Sequence, residues 1–341
     1  MNMKEYLLNP CGKLSIPYWK DKLINLPSDT IIFHHTKFNG QFSNYERYFR
    51  LIHHLENTYQ PLHIVETIDL FKDEVELIKL INKCYVSQKI NISNLDINNW
   101  INHSTYNKKL WVKIMLNNKI IACGIAEYDK ECKEGILEWI QVLPNYRRKG
   151  YGKSIVNSLL KELKLMGAEF VTVSGKIDNK SNPEALYRDC GFIGNDIWYI
   201  CKNMNISLEL LNQNDKQIYK LKDLHKMDTI KKYIAISENY FNYVTSSENV
   251  FYYKILLEGN IIGGIHIEKV TNNVYLSICI HPVYRGFGFA TQTLDKILCM
   301  YKGNTFCANI EKENIKSIKL FESLNFIKVN DNKEILTYKK R

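Results

Sequence analysis

Apolar residues recur along this chain at the two periods that distinguish helices from strands. Between residues 153 and 166 they fall at helical spacing, so Ile155, Leu159 and Leu163 share one face of a predicted helix. Short apolar runs bounded by turn residues predict strands, and two of them flank the Asn-Asn-Lys turn at 117–119 as in a hairpin. The predicted strands of the first half are 62–67, 110–116, 120–128, 135–142 and 170–174, with a further helix at 71–85. This mixture predicts an α+β fold.

The second half of the chain repeats the order of the first, and a motif between strand and helix repeats with it. Residues 142–152 (VLPNYRRKGYG) return as residues 280–290 (IHPVYRGFGFA), and both copies keep a proline, an arginine and a glycine at positions shifted by 138. Strands are predicted at 252–257, 261–269 and 274–280, and residues 205–250 must supply a strand and one or two helices. The chain therefore contains an internal duplication at domain scale.

Each copy of the motif is predicted to be a turn between a strand and the N-terminus of a helix. Main-chain N–H groups there have no partner within the helix and the helix dipole is positive, so the turn can bind a phosphate wherever glycine leaves room. The residues expected around the first anion are Arg147, Arg148, Lys149, Gly150, Tyr151, Gly152 and Lys153, and those around the second are Arg285, Gly286, Gly288 and Ala290. The second loop carries fewer charges and is expected to bind more weakly. A tight turn without a ligand is the alternative for either loop.

Both loops fit the pattern R/Q-x-x-G-x-G/A, so the chain resembles the GNAT superfamily, the Gcn5-related N-acetyltransferases. A second element of that family supports the resemblance, since residues 186–192 (LYRDCGF) return as residues 320–326 (LFESLNF). The resemblance implies two tandem GNAT-like domains, at 62–203 and 204–341, each with a mixed, mostly antiparallel central sheet flanked by helices. Residues 1–61 are then an N-terminal extension, which is expected to add strands to the first domain.

The resemblance also implies chemistry: acetyl-CoA as cosubstrate, direct acetyl transfer to a primary amine, and no metal. Glu138 matches the position of the family's catalytic base, and regular alternation would place it on one strand face with Ile140 and Val142. A main-chain N–H near Val142 would hold the oxyanion, where family members splay the sheet with a bulge. Tyr187 matches the family's general acid. Further contacts with the cofactor are implied for Ile140, Gln141, Val142, Asn182, Ile280 and Asn314.

Each catalytic assignment has an alternative, because Tyr187 can be a core residue and Glu138 can lie at a solvated strand edge. The second copy departs from the family at both places, with Leu276 four residues before Ile280 and Phe321 in place of the tyrosine. The first domain is therefore expected to catalyse, and the second to bind CoA without reacting or only to pack. The alternative for the whole protein is a CoA-responsive binding or scaffold protein that has lost catalysis.

Composition narrows the remaining classes. The 341 residues are 45% hydrophobic and 24% charged, which is typical of a globular protein. A net charge of +10 permits nucleic-acid binding, but the basic residues are dispersed, so this partner is not expected. No apolar run could span a membrane and no signal segment is evident, so the protein is expected in the cytoplasm. The histidine pairs at 34–35 and 53–54 would point to opposite strand faces, so no metal is predicted. The expected partner is a small-molecule or peptide amine, and its identity and the oligomeric state stay open.

Overall fold

The computed structural model describes residues 2–20, 26–27, 29–86 and 90–341, and the side chains of all of these except Tyr18 and Trp19. The chain forms two compact units. Unit 1 comprises Met1–Pro27, Ile32–Phe38 and Asn44–Cys201, and unit 2 comprises Ser28–Ile31, Asn39–Ser43 and Lys202–Arg341. The N-terminal part of the chain thus contributes residues to both units.

Unit 1 is built on one sheet with helices on both faces. Its helices are α1 (Met3–Leu8), α2 (Ile16–Trp19), α3 (Leu70–Tyr85), α4 (Asn94–Ile101), α5 (Tyr151–Leu165) and α6 (Pro183–Asp189). Its strands are β1 (Ile31–His34), β2 (Glu46–His53), β3 (Glu66–Thr67), β4 (Trp111–Leu116), β5 (Lys119–Asp129), β6 (Glu134–Val142), β7 (Phe170–Lys176) and β8 (Ile193–Cys201). They lie in the order β1-β8-β2-β7-β6-β5-β4-β3.

Unit 2 has a sheet of the same kind. Its helices are α7 (Ile218–Lys226), α8 (Asp228–Lys231), α9 (Tyr240–Ser246), α10 (Phe289–Met300) and α11 (Ile315–Ser323). Its strands are β9 (Ile206–Leu210), β10 (Val250–Leu257), β11 (Asn260–Val270), β12 (Asn273–Ile280), β13 (Thr305–Glu311), β14 (Ile327–Asp331) and β15 (Ile335–Lys340), in the order β14-β15-β13-β12-β11-β10-β9. In both sheets the central pairing, β6 with β7 and β12 with β13, is parallel, and the pairings beside it are antiparallel. The prediction of two tandem α+β units, each with a mixed and mostly antiparallel sheet, is confirmed.

The predicted strand at 62–67 is mostly absent, because its backbone bonds elsewhere. The N–H groups of Leu62 and His63 both donate to the Ser154 hydroxyl on α5, at 3.1 Å each. Only Glu66–Thr67 pairs with β4. The other predicted strands agree with the observed ones to within a few residues.

The main cores lie between each sheet and the helix that follows its glycine loop. In unit 1 the predicted apolar face of α5, including Ile155, Leu159 and Leu163, is buried against β4–β7. In unit 2, Leu294 and Ile297 of α10 occupy the equivalent core. Since each helix is fixed along its length by such packing, the loop at its N-terminus has a defined position.

Candidate active site and its counterpart

The parallel strands at the centre of each sheet separate towards the glycine loop. β6 and β7 are paired as far as Leu137 and Val173, and no pairing between them follows in the described part of the chain. β12 and β13 likewise part after Tyr275 and Cys307. Beyond these points the two strands of each pair are no longer hydrogen-bonded to each other, so a ligand can lie between them.

Glu138 is the extra residue of a β-bulge at this opening. Ala126 of β5 pairs with Leu137, and the preceding Ile125 pairs with Trp139, so Glu138 has no partner of its own. The bulge therefore lies four residues before Val142, and not near Val142 as the resemblance implied. The expectation of a shared face is also wrong: Ile140 and Val142 pack against the α5 core, whereas Glu138 lines a cavity on the other side. A bulge breaks strand alternation, and sequence spacing does not reveal it.

The Glu138 carboxylate is open to a cavity of about 320 Å³ within unit 1. The Glu138 side chain is exposed through that cavity, but the protein around it removes part of the carboxylate's hydration, and this desolvation raises the pKa of Glu138 to about 7. The nearby Glu127 carboxylate raises it further, while Arg50 acts in the opposite direction. A carboxyl group with a pKa near neutrality can accept a proton at physiological pH and later release it.

Tyr187 lies on α6 in the core of unit 1. Its ring centroid is 6.1 Å from that of Phe49 and 5.7 Å from that of Phe192. Burial raises the pKa of Tyr187 well above the ordinary value of about 10, and the charges of Tyr85, Cys190 and Glu138 act in the same direction. The raised pKa keeps the phenol protonated. Among the described residues no hydrogen-bond partner contacts its hydroxyl, so this hydroxyl is available to donate to a ligand.

The loop before α5 has the backbone of an anion site. Gly150 caps the helix at φ 81°, and the first helical hydrogen bond runs from Ser154 N to Gly150 O at 3.0 Å. The N–H groups of residues 151–153 therefore have no acceptor within the helix. Arg147 folds back and donates from Nε to Val142 O at 3.0 Å, while Arg148 is exposed beside the loop.

His63 is part of this loop's surroundings and was missed in the sequence. Its Nε2 donates to Lys149 O at 2.9 Å, and its ring centroid is 4.2 Å from that of Tyr151. A Cβ added at Gly150 would lie 3.5 Å from His63 Nε2, so the space beside this glycine is partly filled. No motif surrounds His63, so only the fold could show this contact.

The loop of unit 2 has the same backbone and more open space. Gly288 caps α10 at φ 84°, and Arg285 Nε donates to Ile280 O at 2.8 Å, as Arg147 does to Val142. An added Cβ at Gly286 or Gly288 would meet no atom within 4 Å. The geometry of both loops thus leaves room for a phosphate group, whereas the cluster of basic side chains belongs to the first loop alone.

The separation between β12 and β13 contains a cavity of about 190 Å³ in unit 2. Its lining includes Leu276, Ile278, Asn309, Asn314, Ser317 and Phe321. Leu276 and Phe321 also belong to the core of the unit. Neither of these two side chains can transfer a proton, and the other side chains that line the cavity include Tyr233 and Glu311.

Two asparagines occupy equivalent places, as N-caps of α6 and α11. Asn182 Oδ1 accepts from Ala185 N at 3.4 Å, and Asn314 Oδ1 accepts from Ser317 N at 3.2 Å. Asn182 is exposed, whereas Asn314 lines the unit 2 cavity. Capping is a sufficient structural role for both.

The family follows from comparison with known sequences. The sequence profile described as "Acetyltransferase (GNAT) family" matches residues 75–192 and again residues 218–326, together more than half of the chain. The chain belongs to the GNAT acetyltransferase family. Each GNAT match covers one separated strand pair and the glycine loop beside it. No curated protein sequence matches the chain.

Solved structures resemble parts of this GNAT protein. A domain from Methanocaldococcus jannaschii is 24% identical, with 40% of this chain and 98% of that chain covered and a TM-score of 0.35. The Campylobacter jejuni N-acetyltransferase PseH in complex with acetyl coenzyme A is 19% identical, with 40% and 98% covered and a TM-score of 0.33. A GCN5-related N-acetyltransferase from Sphaerobacter thermophilus is 11% identical, with 53% and 62% covered and a TM-score of 0.43.

The described residues show neither a helix suited to a membrane nor a cluster suited to a metal ion. No described helix has both the length and the apolar character needed to cross a bilayer. No group of three or more His, Cys, Asp or Glu side chains among those residues is arranged to hold a metal ion. The expectation that His34 and His35 point to opposite strand faces is wrong, because β1 ends at His34 and the two ring centroids lie 4.1 Å apart. His34 Nε2 is 2.8 Å from Asp196 Oδ1, and His35 Nδ1 accepts from Ile197 N.

Proposed function

We propose that unit 1 is an acetyl-CoA-dependent N-acetyltransferase that acts on a primary amine, with Glu138 as general base and Tyr187 as general acid. The observation that carries this proposal is the bulge, which presents a carboxylate of raised pKa to a cavity where β6 and β7 part. Residues 140–142 and the loop from Arg147 to Lys153 are proposed to bind the cosubstrate.

The proposed transfer moves protons through Glu138 and Tyr187. Acetyl-CoA supplies an acetyl group already activated as a thioester. An alkylammonium acceptor, with a pKa of about 10, gives a proton to Glu138, which releases it to solvent, and the neutral amine forms the new C–N bond. The nitrogen then gives a second proton to Glu138, which leaves the neutral amide. As the C–S bond breaks, the sulfur takes the Tyr187 proton, which burial has kept on the phenol. Proton exchange with solvent restores both side chains.

For unit 2 we propose binding of CoA or acetyl-CoA without transfer. The support is positive φ at Gly286 and Gly288, as at Arg148 and Gly150 of the first loop, together with open space beside both glycines of unit 2 and a cavity between the parted strands. Ile280, Arg285, Ala290 and Asn314 are the other proposed contacts. The absence of a proton donor at Phe321 supports binding over catalysis.

Calorimetric titration with acetyl-CoA tests both proposals by its stoichiometry. We expect two sites per chain, the tighter one in unit 1 because of its basic loop. All five tryptophans lie in unit 1, and Trp139 adjoins Glu138, so tryptophan fluorescence should respond to one of the two sites only. A single site would exclude ligand binding by unit 2, and no site would exclude both proposals.

Acetyl transfer itself is tested by CoA thiol release with a panel of amines. We expect Tyr187→Phe to lower kcat by roughly 10²-fold or more, as for loss of a general acid. Tyr128→Phe is the matched control, because it removes another phenol from the same buried core. Equal loss in both variants would assign Tyr187 a packing role.

A further inference from the structure

Arg50 is a buried cation of unit 1 that the proposed reaction does not use. It lies in the middle of β2, is 3% exposed and lines the same cavity as Glu138. Its Nη2 donates to the Tyr6 hydroxyl at 2.8 Å, while its Nε has no acceptor among the described residues. A guanidinium has five N–H donors, and leaving a buried donor unpaired costs free energy.

The Glu134 carboxylate lies near the Arg50 guanidinium but does not accept a hydrogen bond from it. Glu134 Oε1 is 3.6 Å from Arg50 Nη2, which is longer than a hydrogen bond. The Glu134 oxygens instead accept from Tyr6 OH at 2.7 Å and from Thr172 Oγ1 at 2.6 Å. Burial also raises the pKa of Glu134, which favours its neutral form. Arg50 therefore has both hydrogen-bonding capacity and charge to offer a further anion.

The cavity joins Arg50 to the proposed catalytic base. Each of Arg50 and Glu138 affects the pKa of the other, so the two charges lie within electrostatic reach across the cavity. The rest of the lining is largely apolar and includes Leu14, Pro17, Ile32, Ile136, Trp198 and Ile200. A volume of about 320 Å³ is that of a small-molecule site.

The N-terminal arm, residues 2–20, forms one wall of this cavity. It is fixed at one end by Tyr6, which is fully buried between Arg50 and Glu134. At the other end Lys20 Nζ lies 2.6 Å from Asp129 Oδ2 and 2.7 Å from Glu131 Oε2. A wall anchored at both ends leaves little room for a polypeptide and favours a compact acceptor.

We propose that the acceptor is a small amine that also carries an anionic group, a carboxylate or a phosphate, which Arg50 binds while the amine faces Glu138. This inference rests on the proposed acetyl transfer by unit 1. A purely cationic acceptor such as a polyamine is disfavoured, because it would place a positive charge next to the Arg50 guanidinium. Arg50 then determines acceptor specificity, and Tyr6 positions its guanidinium.

The test compares matched pairs of amines with the full-length protein. One pair is an amino acid and the amine left by its decarboxylation, and another is an aminoalkyl phosphate and the corresponding amino alcohol. We expect the anionic member of at least one pair to have a kcat/KM roughly tenfold or more higher, because it completes a charge-assisted hydrogen bond. The pair that shows the preference identifies the anion as carboxylate or phosphate.

Variants assign the preference to Arg50. Arg50→Lys keeps the charge but loses the fork of N–H donors, and we expect it to raise KM for the anionic acceptor at least tenfold while acetyl-CoA binding stays unchanged. Arg47→Gln is the matched control, since it removes an exposed guanidinium from the same strand, where it pairs with Asp178. If Arg50→Lys is poorly folded, the unaltered protein can be tested with simple carboxylates and with inorganic phosphate as inhibitors. Inhibition that is competitive with the amine would show that the acceptor site binds an anion.

Binding measured by calorimetry in the presence of CoA separates the two proposals. Equal kcat/KM for the members of every pair overturns the anionic acceptor and leaves acetyl transfer standing. Binding of an anionic amine that depends on Arg50, without any thiol release, supports the acceptor site and overturns transfer. If no anionic amine binds or is acetylated, the inference is overturned, even if plain amines are acetylated.

Discussion

β6 of unit 1 contains one residue more than β12 of unit 2, and that residue is Glu138. The hairpins of the two units pair equivalently, with Leu137 opposite Ala126 and Leu276 opposite Ile267, and both leucines belong to their unit's core. Leu276 is thus the counterpart of Leu137, and the assignment of Leu276 to the position of Glu138 by constant offset is wrong. The comparison shows that a one-residue insertion can add a carboxylate to a strand while the core residue beside it is kept.

The two sheets are also completed by different parts of the chain. In unit 2 the strand between β13 and β14 is β15, the last of the chain, whereas in unit 1 the equivalent place between β7 and β8 is taken by β2. β2 is antiparallel to both of its neighbours, as β15 is. β2 comes from the N-terminal extension and places Arg50 in the cavity. Unit 1 therefore has at this place a side chain that the duplicated part of the sequence does not supply.

What the units share is a buried ion pair beneath the sheet. In unit 1, Lys113 Nζ lies 2.7 Å from Asp73 Oδ2, and in unit 2, Lys254 Nζ lies 2.5 Å from Asp215 Oδ2. Both lysines lie at equivalent positions of β4 and β10 and are buried. Retention of this pair in both units indicates a role in the scaffold, in contrast to Glu138 and Tyr187, which have no counterpart of the same residue type in unit 2.

The largest expected effect comes from removing the inserted residue's charge. Glu138→Gln should lower kcat by roughly 10²- to 10⁴-fold, the usual contribution of a general base. Deletion of Glu138 should do the same while preserving the fold, because it gives β6 the regular register of β12. Thiol release measures activity and circular dichroism the fold. Glu169→Gln, which removes an exposed carboxylate paired with Lys133, is the control. Full activity in the deletion variant would contradict the role of the bulge.

The shared ion pair should have the next largest effect, on stability. Lys113→Met leaves the Asp73 carboxylate buried without its partner, and we expect a loss of about 3–5 kcal/mol in the free energy of unfolding. Urea unfolding followed by tryptophan fluorescence reports on unit 1, which holds all five tryptophans. Lys254→Met should shift the transition seen by circular dichroism and leave the fluorescence transition in place. Coincident shifts of both signals would mean that the two units unfold together.

Prediction from sequence succeeded where short-range pattern determines structure. The apolar spacing of α5, the hairpins and the repeated loop all indicate local geometry, and the structure has them. The bulge at Glu138 depends on pairing with β5, and the site of β2 depends on contacts more than a hundred residues away, so neither leaves a local pattern. Arg50 and Tyr6 were missed for this reason. An arginine and an aromatic residue in an extension become a buried pair only when the sheet brings them together.

The pH dependence of transfer should sharpen the assignment of Glu138. Because desolvation and the Glu127 charge raise the pKa of Glu138 to about 7, the basic form is lost as the pH falls below that value. We expect kcat/KM to fall about tenfold per pH unit on the acid side and to level off above pH 7. Glu127→Gln removes a neighbouring negative charge, so Glu138 should ionise more easily and the acid limb should move to lower pH. A limb that moves the other way, or that persists in Glu138→Gln, would assign the titration to another group.

The smallest expected effect concerns Gly152 of unit 1 and its counterpart Ala290 of unit 2, both in the first turn of a helix. Gly152→Ala has two opposing effects on the free energy of unfolding. The higher helix propensity of alanine stabilises the helix by about 1 kcal/mol, whereas the added Cβ would lie 3.1 Å from Leu186 Cδ2, which is a tight contact. We expect the free energy of unfolding to change by less than about 1 kcal/mol, because the leucine's end can shift. Ala290→Gly has no such compensation and should cost about 1 kcal/mol. If Gly152→Ala instead destabilises by several kcal/mol in urea unfolding, the helix and α6 are packed too rigidly to yield, and the glycine is required for close packing as well as for the anion site.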